Sequence, residues 1–498
     1  MKKATILFLF LNCGLAFSQG QNNQWLIGYG NWANKGRIIY SDTSYSFIVE
    51  QRLMKFEGTE ATISDAQGNF LMSSNGVWIA NANNDTMQNG TGLNPGTFVN
   101  QWPSALPLPN ANVFLPFPGD TTKYVLIHHS AEFNGQYEST YELLYSVVDI
   151  TFDNGLGAVV SKNNLLLSDT LNFGIGACKH ANGRDWWIVV QKDLTDEILV
   201  MLLTPDSIFD YGSQHLGVVP SWGNVTPLTF SPDGTKFGYI SYSQNSIDSC
   251  FTFIADFDRC TGLFSNTRVF NFYPSSYLWG FAFSPNSKLA YANTTGRIFQ
   301  LNIDSMSIDT VALYDGFISG APPNCCQTSF MFEYLAANGK IYITSGSSVQ
   351  HIHEINYPDS AGLACDVQQH AISLGVWSFR AVPNHPNYNL GPVVGSLCDT
   401  LSVGIEEQQY DFHFGISPNP TESGNVKIVY LLPQNKSGDL SVYSITGQLV
   451  YKQHLPPWSS LQLLDLSDIS GGIYTCVLSS ETYRTAKKLV VIGGSGAK

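Results

Sequence analysis

The stretch Ser231–Ser241, SPDGTKFGYIS, is a tight polar turn followed by a strand in which apolar residues alternate. Three other stretches have the same form: ANGRDWWIVVQ from residue 181, SPNSKLAYANT from 284 and AANGKIYITSG from 336. The basic residues after these turns stand at positions 184, 236, 288 and 340, which gives three equal steps of 52 residues. A fixed step of this length is typical of propellers and other repeat architectures.

Each of these strands is followed by further strands that end in acidic turns, as in LLYSVVDITFDNGLGAVVS and CFTFIADFDRCTGLFSN. Together they give a four-stranded unit of about fifty residues, which is the size of one β-propeller blade. No stretch with the period of a helix intervenes. Residues 19–400 therefore predict an all-β fold, a propeller of about seven blades. We expect the first strand, WLIGYG, to complete the last blade and close the ring.

The composition is typical of a β-rich chain. Of the 498 residues, 13% are charged and 13% are aromatic. Aromatic residues pack on pleated sheet faces, while Gly, Asn and Asp form turns. The formal charge is −14 and no cluster of Lys and Arg is present. We expect no nucleic-acid partner, because phosphate binding needs clustered basic groups.

Residues 1–18 predict a secretory signal peptide. A basic start, MKK, precedes the apolar run ATILFLFLNCGLAF, and cleavage is expected between Ser18 and Gln19. Loss of the two lysines changes the formal charge from −14 to −16. The run is too short for a permanent transmembrane helix and no other segment approaches twenty apolar residues, so no transmembrane segment is expected. A lipoprotein signal that uses Cys13 is the alternative.

The cysteines indicate disulfide bonds. Nine are present, and eight remain once Cys13 leaves with the signal peptide. An even number in an exported chain favours disulfides. Cys250 and Cys260 are placed to bridge neighbouring strands, although Cys260 fits equally with a cysteine of a later blade. The connectivity stays open.

The stretches EGTEATISDAQGNFLMSSNG, KHANGRDWWIV, FDRCTGLFSN and PNHPNYNLGP resemble, in this order, a group of large secreted propeller proteins of the Bacteroidota. SPDGTKFGYIS is similar to the turn of TolB-like propeller repeats. The resemblance covers most of residues 25–400. It implies the propeller fold and carries no established activity.

The tail of the chain has a different pattern. Residues 401–413 are polar and are interpreted as a linker, and residues 414–492 predict six or seven short strands, a small Ig-like β-sandwich. The motifs ISPNP, ITGQLV, LDLSDISGGIY and KKLVVI resemble, in this order, the type A C-terminal sorting domain of the type IX secretion system. The matching residues are Pro418, Asn419, Pro420, Gly447, Gly472, Tyr474 and Lys488.

This resemblance implies a route and a location. The signal peptide leads to the periplasm, and the outer-membrane type IX secretion machinery then recognises the tail, which gives a secreted or cell-surface protein. Ser444 departs from the family pattern, in which Asp or Asn usually precedes the turn, and GGSGAK follows the last strand. The alternative is an Ig-like accessory domain that binds a surface.

The sequence contains no recognised catalytic motif. His351 and His353 share one face of a predicted strand but lack a third metal ligand, and His180 lacks an oriented partner. Acidic residues in EGTEATISD and VVDITFD are interpreted mainly as turn acceptors, because Asp side chains bond to the backbone of tight turns. We assign no catalytic residue, no metal ligand and no cofactor. A structural calcium ion in a blade turn is the one ion that the pattern allows.

The tryptophans give the best indication of a ligand. Exposed aromatic rings beside amide side chains often stack on and bond to neutral sugars, although large rings also fill the wedges between blades. We expect a non-enzymatic binding or adhesion module for a glycan or a protein. A polysaccharide hydrolase or lyase and a purely structural surface protein are the alternatives. The candidate ligand-face residues are Trp25, Trp32, Trp78, Trp102 and Trp222.

Overall fold

The computed structural model describes two groups of residues. The first comprises 20–32, 34–133, 138–220, 227–242, 250–272, 277–319 and 326–399, and the second 414–421, 424–430, 432, 436–457, 459–480 and 483–492. The signal peptide with Ser18 and Gln19, the linker 401–413 and Trp222 lie outside these residues. The chain divides into two compact units, Met1–Ser402 and Val403–Lys498.

The described part of the first unit is a seven-bladed β-propeller. Its strands form one three-stranded sheet, four four-stranded sheets and one eight-stranded sheet. The eight-stranded sheet consists of two four-stranded halves that meet at a single parallel pair, Ala158 with Gln88. Each half is one blade, which gives seven and confirms the fold predicted from the sequence.

The strands follow one another along the chain, blade by blade. Blades 1 to 3 contain β1 (Gln24–Ile27), β2 (Asn34–Ser41), β3 (Ser44–Gln51); β4 (Ala61–Ser64), β5 (Phe70–Ser74), β6 (Trp78–Ala80), β7 (Thr86–Thr91); and β8 (Asn112–Pro116), β9 (Lys123–Phe133), β10 (Glu138–Asp149), β11 (Ala158–Leu171). A short helix, α1 (Thr97–Gln101), lies between blades 2 and 3, and 3-10 turns span Asp153–Gly155 and Gly362–Cys365.

Blades 4 to 7 have four strands each in regular order. They contain β12 (Gly176–Lys179), β13 (Trp186–Gln191), β14 (Glu197–Leu203), β15 (Ile208–His215); β16 (Thr229–Phe230), β17 (Lys236–Tyr242), β18 (Cys250–Asp258), β19 (Leu263–Phe272); β20 (Gly280–Phe283), β21 (Leu289–Thr294), β22 (Arg297–Asn302), β23 (Ser307–Leu313); and β24 (Glu333–Leu335), β25 (Ile341–Ile343), β26 (Val349–Ile355), β27 (Val367–Ser378).

Burial falls from the first strand of a blade to the last. β4 and β20 are buried along their whole length, whereas β3, β15 and β23 are largely exposed. The first strands of several neighbouring blades contact one another, as β1 does with β4 and β20 with β24. The ring is therefore held by apolar packing around its centre, while the last strands face solvent.

The turns that follow the first strands explain why the sequence folds locally in this way. The Asp233 side chain accepts hydrogen bonds from the Thr235 backbone (2.9 Å) and from the Ser231 hydroxyl (2.6 Å). Gly234 adopts a φ of +72°, a conformation that glycine reaches without steric cost. Asn286 takes the place of Asp233 one blade later and accepts from the Lys288 backbone at 3.0 Å. Polar turn residues thus determine where each hairpin reverses.

The ring does not close as expected from the sequence. β1 pairs with β2 in the first sheet and has no place in the sheet of β24 to β27, so WLIGYG opens blade 1 instead of completing blade 7. Blade 1 has three strands, and β1, β2 and β3 contact β27 across the closing junction. Close side-chain packing joins the two ends of the ring. Gly36 of β2 lies so near Phe47 of β3 and Val376 of β27 that an added methyl group would collide with Phe47 and press on Val376.

Residues 379–399 follow the last blade and are here called the crossing segment. Its side chains bond to the backbone of several blades: Arg380 to Glu57 and Asn384 to Ile175, at 2.8 and 2.9 Å. Asn387 donates to the Pro232 carbonyl oxygen at 2.6 Å. One continuous segment thus connects blades 2, 4 and 5.

The crossing segment also carries a disulfide, which rules out Cys250 as the partner of Cys260, one of the two pairings that the sequence left open. Cys260 bonds to Cys398, with 5.6 Å between the Cα atoms. Cys250 begins β18 and Cys260 lies just beyond its far end. An extended strand of this length spans roughly 30 Å, far more than the 7 Å that a disulfide bridges. The two residues of one strand therefore do not pair.

The described part of the second unit is a seven-stranded sandwich. One sheet has the order β28-β29-β32 and the other β31-β30-β33-β34. Leu440, Val442, Cys476 and Leu489 are fully buried in its core. The strands are β28 (Phe414–Ser417), β29 (Asn425–Tyr430), β30 (Gly438–Ser444), β31 (Leu449–Leu455), β32 (Leu461–Asp465), β33 (Gly472–Ser480) and β34 (Tyr483–Val491).

Candidate functional site

A cavity of about 420 Å³ lies beside the crossing segment, against the first strands of blades 5, 6 and 7. We call it the central cavity. Residues 382–387 and 389 of the crossing segment form one wall, and Phe230 and Tyr334 contribute aromatic rings. Its volume falls in the range of roughly 300–1,000 Å³ that is usual for small-ligand sites. Six asparagines line it: Asn22, Asn23, Asn110, Asn384, Asn387 and Asn389.

His385 positions the crossing segment in the central cavity. Its Nδ1 accepts a hydrogen bond from the Tyr334 hydroxyl at 2.8 Å, and its Nε2 donates to the Thr62 carbonyl oxygen at 2.9 Å. Burial disfavours the charged imidazole and lowers the pKa of His385 to about 4. The ring is thus neutral near pH 7, and both of its nitrogens are engaged by a tyrosine and a threonine. It does not form a His–acid pair.

Glu333 is the buried carboxyl of the cavity wall. It lies on β24 and is 5% exposed, and neither carboxyl oxygen has a hydrogen-bond partner among the described residues. Burial raises the pKa of Glu333 well above 4.5, and the nearby Ala282 backbone offsets this only in part. A methyl group at Gly280 would collide with Asn293 Oδ1 and Glu333 Cγ, so the glycine leaves room for both side chains.

A second buried carboxyl, Glu60, lies outside the cavity lining. Burial raises its pKa well above 4.5, while the Arg52 charge and the nearby Trp25 indole and Leu26 backbone lower it in part. Trp25 is fully buried, with its ring centroid 5.5 Å from that of Tyr334. Trp25 is therefore a core residue, and its assignment to a ligand face is wrong.

The other described tryptophans are spread over the propeller and none of them lines the central cavity. Trp32 is 50% exposed, and its ring lies 5.4 Å from Tyr29 and 5.9 Å from Trp377. Trp102 is 39% exposed just after α1. Trp78 is half-buried against the core of blades 1 and 2. Among the described candidates, only Trp32 and Trp102 retain the exposure that a stacking platform needs.

The acidic and histidine candidates occupy structural positions. Asp65 and Asp258 accept backbone hydrogen bonds within their turns, from Gln67 at 2.9 Å and Cys260 at 2.8 Å. His353 is fully buried on β26, and burial lowers its pKa to about 4. In the part of the chain that the structure describes, no three His, Cys, Asp or Glu side chains are grouped to hold a metal ion.

The cavity could have been found only in part from the sequence. PNHPNYN, residues 383–389, marks a non-helical asparagine-rich loop, because its two prolines fix the backbone. Glu333 stands out as one acid within the apolar run FMFEYL, which signals a buried carboxyl. Nothing in the sequence places these two stretches together, because their contact depends on the path of the chain across the ring.

The first and last sorting-motif residues of the second unit lie close together. Pro418, Asn419 and Pro420 follow β28, and Lys488 lies on β34. Asn419 Nδ2 donates to the Lys488 carbonyl oxygen at 2.7 Å, and Asn419 Oδ1 accepts from the Val490 backbone at 2.9 Å. Pro418 and Pro420 flank this asparagine, both after cis peptide bonds. The Asn419 carboxamide therefore attaches the opening turn to the last strand, next to the backbone bridge between Thr421 and Val491.

Gly447 lies in a turn of the same unit, whereas Gly472 and Tyr474 lie at the start of β33. Gly447 has a φ of +82° and donates its backbone N–H to the Ser444 carbonyl oxygen at 2.9 Å. Ser444 Oγ accepts from the Gln448 backbone at 3.2 Å, so serine serves as the turn acceptor where Asp or Asn is usual. Tyr474 is buried and donates to the Ser470 carbonyl oxygen at 2.5 Å, next to Gly472.

These features define the class: an exported β-propeller protein that carries a C-terminal address. Residues 415–492 match the family described as secretion system C-terminal sorting domain. The sorting domain is that of the type IX secretion system, and it directs the protein to the cell surface or the extracellular space. Among the described residues, no helix is long and apolar enough to cross a membrane.

Solved structures with some similarity to the chain include two proteins of Bacteroides. Putative 6-phosphogluconolactonases from Bacteroides uniformis and Bacteroides fragilis are each 12% identical to it, with TM-scores of 0.40 and 0.39. The alignments cover 72% and 74% of this chain and 98% of each of those chains. A search of curated proteins finds no match. The strand order of the blades defines the fold independently of these similarities.

Proposed function

We propose that the protein is a non-enzymatic carbohydrate-binding module of the cell surface or the extracellular space, with the central cavity as its ligand site. The observation that carries the proposal is the lining of this cavity by six asparagines and several aromatic residues. Carboxamides offer both donors and acceptors to hydroxyl groups, and aromatic faces suit the apolar faces of sugar rings. The sorting domain brings such a cavity to the outside of the cell.

The side chains of the cavity favour binding over hydrolysis. Glycoside hydrolysis uses two carboxyls roughly 5–10 Å apart on either side of the scissile bond. Glu333 is buried on β24, whereas Asp42, the other acid in the lining, lies in the exposed turn between β2 and β3. His385 bonds to Tyr334 and Thr62 and to no acid. A binding role needs only the amide and aromatic groups.

The experiment uses the full exported chain with a blocked cavity as the key variant. Ala337 is exposed in the turn after β24 and lines the cavity, so Ala337→Trp fills it without removing a core contact. Ala66 is exposed in the corresponding turn of blade 2 and does not line the cavity, so Ala66→Trp is the matched control. Retention on a panel of insoluble polysaccharides and release of reducing ends are both measured.

We expect retention by the wild type and by Ala66→Trp, about a tenfold loss with Ala337→Trp, and no new reducing ends. New reducing ends that disappear with Ala337→Trp would instead identify a hydrolase. Retention that survives Ala337→Trp but is lost with Trp32→Ala would move the ligand from the cavity to the exposed aromatic cluster. No retention on any polymer would contradict the proposal.

A further inference from the structure

The central cavity is acidic. Of the described residues that line it, Asp42 and Glu333 carry acidic groups, and none is a lysine or an arginine. His385 adds no positive charge near neutral pH, because its pKa is about 4. A ligand that enters this cavity therefore meets negative or neutral groups only, and a cationic group on the ligand is favoured there.

Glu333 marks the position that such a group would take. Buried polar groups in folded proteins nearly always have hydrogen-bond partners, and those without one require an explanation. Both oxygens of Glu333 lack a partner among the described residues, and so does the nearby Asn293 Oδ1. When Glu333 is ionised, as it would be beside a cation, its two oxygens and Asn293 Oδ1 are all acceptors. The described wall of the cavity offers them no donor in hydrogen-bonding geometry, although the Ala282 backbone lies close to the Glu333 carboxyl.

The missing partner should carry several N–H donors and a positive charge. An ammonium group has three donors and no acceptor, so it matches a cluster of acceptor oxygens. A hydrogen bond between an ammonium and a carboxylate is also roughly twice as strong as one between neutral groups. The aromatic ring of Phe230, which lines the same cavity, suits a cation as well as a sugar face.

We infer that the ligand of the central cavity is a carbohydrate with a free primary amino group, whose ammonium pairs with the Glu333 carboxylate. This inference rests on the proposed carbohydrate-binding function and specifies the chemical class of the sugar. An N-acetylated sugar of the same length lacks the charge and two of the donors. It binds through the asparagines and aromatic rings alone.

The test compares two soluble probes on the full exported chain by calorimetric titration: a β-1,4-linked glucosamine trisaccharide and its fully N-acetylated counterpart. Glu333→Gln keeps the size of the side chain and removes its charge. Asp42→Asn is the matched control, since it neutralises the exposed acid of the same cavity. Thermal unfolding of both variants confirms that they are folded.

We expect the wild type to bind the amino trisaccharide about tenfold more tightly than the acetylated one. Glu333→Gln should remove this preference and leave binding of the acetylated probe within about threefold of the wild type, whereas Asp42→Asn should keep most of the preference. Equal binding of both probes by the wild type would overturn the inference and leave the proposed function standing. Binding of neither probe, with retention on other polysaccharides blocked by Ala337→Trp, would overturn the inference alone. No carbohydrate binding at all would overturn both.

Discussion

Asn419 and Lys488 are joined by a side chain-to-backbone hydrogen bond of 2.7 Å that ties the opening turn of the sorting domain to its last strand. The same carboxamide accepts from the Val490 backbone, so one side chain satisfies a donor and an acceptor of β34. Asn419 is thus both a residue of the PNP motif and a contact between two parts of the fold. Its position in the motif places its carboxamide beside the last strand.

The Asn419 contact predicts a stability effect on the sorting domain. Asn419→Ala removes two hydrogen bonds and should lower the free energy of unfolding of this unit by about 1–3 kcal/mol. Gln453→Ala is the control, because the half-buried Gln453 side chain on β31 donates to the neighbouring His454 carbonyl oxygen. Secreted and retained protein are compared in cells that export the chain. Equal secretion of both variants, with Asn419→Ala shown to be less stable, would separate the fold of the domain from its recognition.

The disulfide predicts a second effect on stability. Cys260 and Cys398 are 138 residues apart, and a cross-link over a loop of this length stabilises a fold by about 3–5 kcal/mol in the chain-entropy account. Cys398→Ser should lower the denaturant midpoint of the propeller, and the double variant Cys260→Ser/Cys398→Ser should lower it by the same amount. A much larger loss in the double variant would mean that Cys260 stabilises the fold by another contact.

Replacing Glu333 by a neutral side chain should stabilise the folded protein by an amount that depends on pH. Its pKa in the folded protein is raised above the ordinary 4.5, so its contribution to stability is complete below about pH 4.5 and is lost as pH rises. Glu333→Gln should therefore unfold at higher urea concentration than the wild type at pH 7, with a smaller difference at pH 4. A difference that does not change with pH would show that the carboxyl is charged or paired in the folded state.

The contribution of His385 to stability should change with pH in the opposite direction. Its pKa of about 4 in the folded protein lies below the ordinary 6.5, so its contribution to stability is present above pH 6.5 and is lost as pH falls to 4. The wild type should lose up to about 3 kcal/mol from this residue over that range. His385→Gln should lose less over the same range in urea unfolding at pH 7, 6, 5 and 4. An unchanged pH dependence would assign the acid sensitivity to His128, His129 and His353, whose pKa values are lowered as well.

The propeller could be predicted from the sequence because its signal is local. Turns such as SPDGTK fix each hairpin through side chains two to five residues away, and the alternation of apolar residues follows the pleat. The sorting domain was visible for the same reason, since its motifs sit in consecutive turns. Ser444 departs from the pattern but keeps an oxygen acceptor, so the turn retains its hydrogen bond from the Gln448 backbone.

The disulfide, the ring closure and the cavity could not be predicted because each depends on contacts between distant parts of the chain. Cys398 lies outside the 52-residue pattern, and only the path of the crossing segment brings it to Cys260. Trp25 illustrates the limit of composition: a tryptophan close to polar loop residues in sequence is fully buried against Tyr334. Exposure is a property of the packed ring, which local sequence does not encode.

The attachment of Cys398 to Cys260 also determines how the propeller bears mechanical load. A pulling force applied to the chain beyond residue 399 reaches blade 5 directly through a covalent bond. The hydrogen bonds of Arg380, Asn384 and Asn387 lie upstream of that bond along the chain and are shielded from the tension. Force on the C-terminal side therefore enters the ring at blade 5, before it reaches the rest of the crossing segment or the last blade.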